Sequence, residues 1–277
     1  MFVHHNAVAL LAIGMFATST WAQLPPATVS VRGVGVGADE ATATKAALTK
    51  AVSAVIETLV EAPARKKHQA TIDQKVLPKA AEMVKNFEVF KTEKVSGGKI
   101  SVHVKADVDR KAVIDALIEA SVLVKEEVAA RELVAFCKDN LGKQVGNGEC
   151  ATLAQEAIKT IGAKPFYEYK ESPEASDYVW GEAVFVLEFA SGKRKRDPTD
   201  AKPKPGDVIQ YRNATFRGSR ITFTYPHHTS VIAEVKPNGD LMVYEQNMNG
   251  KKEVMLSTIR PNELVGGWIR VYRPALK

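Results

Sequence analysis

The sequence has few cysteines, few aromatic residues and no apolar run long enough to cross a bilayer. Its 277 residues include 2 cysteines, and aromatic residues make up 7% of the chain. Two cysteines cannot supply a disulfide framework or a four-thiolate metal site, so the fold must depend on hydrophobic cores. The charges nearly balance, with 38 Lys and Arg against 32 Asp and Glu and a formal net charge of +6. We expect a globular protein long enough for two modest domains.

The first 22 residues have the pattern of a signal peptide. The ten-residue apolar core, residues 7–16, is too short to span a membrane, and Thr20-Trp21-Ala22 offers a small-residue cleavage site before Gln23. This pattern predicts cleavage of residues 1–22 and export to the periplasm or the extracellular space. We expect no transmembrane segment in the mature chain.

Export leaves two interpretations of the cysteines open. In an oxidising compartment Cys137 and Cys150 could pair as a disulfide. Alternatively, Cys137 is a buried free thiol, because it lies on or near the apolar face of a helical pattern. Cys150 follows two glycines and opens an apolar-periodic run, so we expect its thiol at a helix N-terminus, where the macrodipole favours the thiolate.

Residues 23–127 are expected to form a small α+β domain. A glycine-rich strand over residues 29–37 precedes an alanine-rich helix capped by Asp39, and a hairpin turns at Ser96-Gly97-Gly98. Asp109 then caps a further helix. Because no cluster of titratable residues in this half looks catalytic, we assign it a binding or scaffolding role.

Residues 128–277 carry the candidate chemistry. A strand that begins at His228 turns at Asn238-Gly239 into a second strand that contains Glu245. Antiparallel pairing about this turn would bring His228 close to Glu245. Asn247 follows Glu245 by two residues and shares its face of the strand. We therefore expect one histidine and two polar side chains to face the helix N-terminus that carries Cys150.

Four segments in this half resemble the CHAP family of cysteine, histidine-dependent amidohydrolases and peptidases, within the NlpC-type and papain-like superfamily. The resemblance extends from about Leu141 to Pro274. Its segments are Gly148-Glu149-Cys150-Ala151, Pro205-Gly206-Asp207-Val208-Ile209, His228-Thr229-Ser230-Val231-Ile232 and Tyr244-Glu245-Gln246-Asn247. It implies an α+β chain in which a papain-like C-terminal domain packs an antiparallel sheet on the cysteine-bearing helix, preceded by the small α+β domain.

The resemblance also implies roles for individual residues. Cys150 would be the nucleophile, His228 the general base and Glu245 the residue that orients the imidazole, with Asn247 assisting. The family places a glycine where this sequence has His227, so His227 is kept as the alternative base. Gln144, six residues before Cys150, is a candidate for an oxyanion hole.

The predicted function is an exported cysteine-dependent amidase or endopeptidase that cleaves amide bonds through a thioester. The expected partner is peptidoglycan or another amide-bearing polymer of the cell envelope, and the N-terminal domain is expected to bind another envelope component. We expect no cofactor, no metal and no nucleic acid. Two alternatives remain: a non-catalytic papain-like binding or scaffold protein of the envelope, and the same three residues acting on a different amide or isopeptide.

Overall fold

The computed structural model describes residues 27–169, 177–197, 201–219 and 221–277, so the predicted signal peptide lies outside the described residues. The described helices are α1 Glu40–Leu59, α2 Ala62–Thr71, α3 Arg110–Glu119, α4 Lys125–Asp139 and α5 Cys150–Thr160. The described strands are β1 Thr28–Gly37, β2 Val84–Lys94, β3 Ile100–Asp109, β4 Glu182–Ala190, β5 Lys193–Arg196, β6 Val208–Arg217, β7 Thr222–Val235, β8 Leu241–Glu245, β9 Met255–Ile259 and β10 Leu264–Arg273.

These strands form two antiparallel sheets. The N-terminal sheet has the order β1-β3-β2, and the C-terminal sheet has the order β5-β4-β10-β6-β7-β8-β9. The last strand, β10, pairs with β4 and β6, so it lies inside the sheet and not at an edge. The predicted α+β class is confirmed.

The glycines of β1 allow α1 to pack very close to the N-terminal sheet. A Cβ atom on Gly33 would collide with the carbonyl oxygen of Ala47, and one on Gly35 would collide with that of Ala43. Asp39 caps α1, since its carboxylate accepts a hydrogen bond from the backbone N–H of Thr42 at 2.7 Å. The glycine pattern of this strand therefore serves helix–sheet packing.

The C-terminal sheet has a hydrophobic core on each face. Neighbouring residues of β6 enter different cores, because side chains alternate along a strand: Val208 packs with α4 and α5, and Ile209 packs on the opposite side. The helix side contains Leu133, Leu153 and Trp180, all without exposed surface. This packing holds the N-terminus of α5 against the sheet.

Both cysteines are free thiols, so the disulfide alternative does not describe this structure. Cys137 has no exposed surface and packs in the core beneath α4, where burial raises the pKa of its thiol. Cys150 is half-buried. In the described part of the chain, no helix is long and apolar enough to cross a membrane.

Candidate active site

A short polar loop presents Cys150 as the first residue of α5. The side chain of Asn147 organises this loop, because its Oδ1 accepts the Glu149 N–H at 3.0 Å and the Thr152 hydroxyl at 2.6 Å. Glu149 is the N-cap residue but makes no side-chain capping hydrogen bond. Gly148 has a φ of +82°, a conformation that side chains other than glycine rarely adopt. The loop thus brings the thiol to a helix N-terminus, as the sequence predicted.

His228 and Glu245 form a buried pair on the adjacent strands β7 and β8. The imidazole Nε2 lies 2.9 Å from Glu245 Oε2, and the side chains are 6% and 0% exposed. The ring of Tyr225 stacks on the imidazole with the centroids 4.8 Å apart. Because Nε2 faces the carboxylate, Nδ1 is the ring nitrogen available to Cys150.

Cys150 and His228 interact, and each shifts the pKa of the other. Burial opposes ionisation of the thiol, but the hydrogen bond and charge of His228 outweigh it and lower the pKa of Cys150. The N–H groups of Thr229 and Ala151 contribute in the same direction. Burial also disfavours the imidazolium, yet Cys150 and Glu245 raise the pKa of His228 to about 9. The arrangement therefore favours a thiolate–imidazolium pair over a neutral thiol beside a neutral imidazole.

The structure brings Cys150, His228 and Glu245 together, whereas the side chains of Asn247 and Gln144 bond to the loop that precedes Cys150. Asn247 donates from Nδ2 to Glu149 Oε2 at 2.7 Å, and this bond directs its amide to the carboxylate beside Cys150. Gln144 donates from Nε2 to the carbonyl oxygen of Gly146 at 3.0 Å, within its own loop.

His227 lies in a different environment from His228. Its Nε2 lies 3.8 Å from Asp177 Oδ1, and its ring packs against Tyr178 with the centroids 5.6 Å apart. Successive residues of a strand point to opposite faces, so only one of the two histidines can meet Glu245. The contacts place His228 in that position.

Tyr225 is a residue of the site that the sequence analysis missed. It is 4% exposed and stacks on His228, and burial together with the nearby Glu245 charge raises the pKa of its phenol. Tyr225 precedes Pro226 and His227 outside any of the motifs used, so its role was not predicted. An aromatic residue near a candidate base is nevertheless a feature of the sequence that could have indicated it. Among the described residues, no group of three or more His, Cys, Asp or Glu could hold a metal ion.

Comparison with known proteins shows a matching family and a curated relative. The family described as "AIM3/BBC1 Cysteine proteinase-fold domain" matches residues 111–277. "Altered inheritance of mitochondria protein 3" of Debaryomyces hansenii is 32% identical over 166 residues, which cover 55% of this chain and 16% of that protein. The chain thus spans about a sixth of the length of the curated relative that it matches.

A solved structure, "The crystal structure of Ly7917 with the hydrolyzing product of MDP", is also similar. It is 17% identical with a TM-score of 0.30, over 52% of this chain and 62% of that chain.

The family match and the curated relative correct the predicted function. The relative is a yeast protein named for the inheritance of mitochondria, and the family is named for AIM3 and BBC1. The prediction of an exported peptidoglycan amidase or endopeptidase is therefore wrong. The predicted partners in the cell envelope and the predicted periplasmic or extracellular location are wrong for the same reason. The papain-like fold of the C-terminal half is confirmed as a cysteine proteinase fold.

Proposed function

The chain belongs to the AIM3/BBC1 cysteine proteinase-fold family, and we propose that its C-terminal domain is a binding module built on the papain-like fold. The observation that carries this proposal is the extent of the match. Residues 111–277 match the family, whereas the aligned region covers 16% of the curated relative. A domain that recurs as a small part of a much longer protein is suited to an interaction role.

We propose the Cys150 mouth as the ligand contact, defined as residues 146–150 together with Asn247. Glu149 and Asn147 are exposed there, and Cys150 is half-buried between them and the sheet. Backbone N–H groups converge near the sulfur at the start of α5. Such a surface, with donors and one carboxylate, fits an extended peptide that presents backbone carbonyl groups.

Binding to a positional-scanning library of decapeptides, measured by fluorescence anisotropy, tests this proposal. Cys150→Ser should keep the wild-type preference, because it preserves the shape of the mouth. Cys150→Arg should abolish binding, because its side chain fills the mouth. Equal binding by wild type and Cys150→Arg would contradict a ligand site here.

A second candidate function is acyl transfer at the same mouth, favoured by the Cys150–His228–Glu245 geometry. The Cys150 thiolate would attack a carbonyl carbon, and the His228 imidazolium would give its proton to the leaving amine to leave a thioester. His228 would then take a proton from water, which attacks the thioester and releases the acid and the thiol. The bond would belong to an amide or isopeptide other than those of cell walls.

p-Nitrophenyl acetate separates the two functions. Acyl transfer predicts a burst of about one nitrophenolate per chain and an acetylated Cys150 in the intact mass, both lost in Cys150→Ser. A wild-type chain that gives no burst above Cys150→Ser would leave binding as the only function of the site.

The finer assignments of the sequence analysis are retained as proposals. We propose that the chain divides near residue 128, supported by separate hydrophobic clusters on the N-terminal and C-terminal sheets. We also propose that the C-terminal fold is of the CHAP or NlpC type, supported by the order of Cys150, His228 and Glu245 along the chain.

A further inference from the structure

The residue after Glu245 connects the strand that carries the carboxylate to the loop that carries the thiol. Gln246 has no exposed surface. Its Oε1 accepts the backbone N–H of Val145 at 3.2 Å, and its Nε2 donates to the Val145 carbonyl at 3.1 Å and to the Glu149 carbonyl at 2.6 Å. One carboxamide therefore satisfies both backbone groups at the start of the loop and the carbonyl next to Cys150.

The loop between these contacts is organised in part by Asn147, but it contains two glycines that adopt positive φ. Gly146 and Gly148 have φ values of +55° and +82°, and glycine has more backbone freedom to lose than any other residue. The bonds to Val145 and Glu149 fix the loop on either side of these glycines. Loss of these bonds would leave the buried backbone N–H of Val145 without its partner, although the carbonyl oxygens of Val145 and Glu149 also accept from the N–H groups of Gly148 and Thr152 at 3.0 Å. An unpaired buried N–H favours rearrangement of the loop.

We propose that Gln246 is a positioning residue that holds Cys150 in register with His228 and Glu245. This inference rests on the proposed thiol site. The Gln246 amide bonds to the backbone of Val145 and Glu149, and these hydrogen bonds do not involve the side chains of Cys150, His228 or Glu245. A displacement of the sulfur by even a fraction of an ångström weakens its interaction with His228, because polar contacts depend steeply on distance and angle. The activation of Cys150 should therefore depend on Gln246.

The test is the pH profile of Cys150 alkylation by iodoacetamide, followed by peptide mapping in the full chain. Gln246→Met keeps the volume and removes all three hydrogen bonds. Gln246→Asn keeps the polar groups but is one methylene too short to reach both Val145 and Glu149. We expect the apparent pKa of Cys150 to rise by about one unit in each variant, with alkylation about tenfold slower at pH 7.

Arg273 provides a matched control away from the mouth. Its side chain also makes three hydrogen bonds, two to Asp207 at 3.0 Å and one to the carbonyl oxygen of Lys202 at 3.1 Å. Arg273→Lys should lower the Tm and leave the alkylation profile unchanged. If Gln246 acted only through stability, Arg273→Lys would shift the profile as much as the Gln246 variants for the same loss of Tm.

The outcomes separate this inference from the proposed thiol site. If the apparent pKa of Cys150 is low in the wild type and stays low in Gln246→Asn and Gln246→Met, the positioning role of Gln246 is overturned, but the activated thiol site is not. An ordinary thiol profile in the wild type would overturn both the activated site and its positioning residue. A low wild-type value that rises in both variants and not in Arg273→Lys supports the inference.

Discussion

At the scale of single residues, the charge of Glu245 is what distinguishes the site from a neutral hydrogen-bonded cluster. Glu245→Gln keeps the size and removes the charge that stabilises the His228 imidazolium. We expect the pKa of His228 to fall and alkylation of Cys150 at pH 7 to slow by roughly tenfold, as a one-unit rise in its pKa would produce. Glu149→Gln is the control, since that carboxylate is exposed beside Cys150 and does not contact His228. Equal effects of the two variants would contradict the role given to Glu245.

The two thiols should differ sharply in reactivity. Cys137 has no exposed surface and a raised pKa, whereas Cys150 is half-buried with a lowered pKa. Brief treatment of the native protein with iodoacetamide should therefore modify Cys150 alone, while both should react after denaturation. Peptide mapping measures the two yields, and similar native yields would show that this difference in environment is absent in solution.

Sequence reasoning predicted that Cys150, His228 and Glu245 lie close together, but it did not predict how the Asn247 side chain is directed to the Cys150 loop. The prediction assumed that the strand alternation continues beyond Glu245. In the structure β8 ends at Glu245, and Asn247 has a φ of +64°, so its side chain turns to Glu149. A motif gives residue types in order, but it does not give the position at which the strand ends.

At the scale of elements, the fit of α1 against β1 depends on the glycines of the strand. Gly35→Ala would place a Cβ atom against the backbone of α1 at Ala43 and Ala47, where no side chain can move aside. We expect a loss of about 2–3 kcal/mol in the free energy of unfolding of this region. Val34→Ala is the neighbouring control, because Val34 is 48% exposed on the opposite face of the strand. Denaturant unfolding compares the two, and equal losses would contradict the packing argument.

Local sequence predicted the hairpin of β2 and β3 but could not predict the neighbours of β10. The hairpin closes through Ser96–Gly98, and turn residues of this kind directly determine which strands pair. The strand β10 instead pairs with β4 and β6, which precede it by tens of residues. Such pairings depend on burial across the whole sheet, which alternation within one strand does not encode.

At the scale of the whole molecule, the N-terminal and C-terminal hydrophobic clusters are separate, so they should respond separately to mutation. Leu133→Ala removes a fully buried side chain beneath α4 and should destabilise the C-terminal domain by about 2–5 kcal/mol. Amide exchange should accelerate in peptides from β6 and α5 and stay unchanged in peptides from α1. Val52→Ala, in the N-terminal cluster, should give the reverse pattern. If either variant accelerated amide exchange in both halves, the N-terminal and C-terminal halves would not be independent.

The prediction of a cell-envelope partner was wrong because the composition and net charge of a whole chain do not identify its ligand. A net charge of +6 is compatible with an anionic polymer, and the order of Cys150, His228 and Glu245 gives a chemistry without a substrate. The yeast relative contradicts the cell-wall assignment. The geometry of Cys150, His228 and Glu245 does not depend on that assignment.

We propose that His228 stabilises the thiolate of Cys150, and the pH dependence of Cys150 alkylation measures this stabilisation. Because the pKa of Cys150 is lowered, the thiolate should persist as the pH falls below the usual thiol value of about 8.5, and be lost only as the pH falls through the lowered pKa. His228→Ala should return the apparent pKa to the usual value or above, since burial then acts without the imidazolium. We expect the two pH profiles to separate, and coincident profiles with an ordinary thiol pKa would contradict a thiolate stabilised by His228.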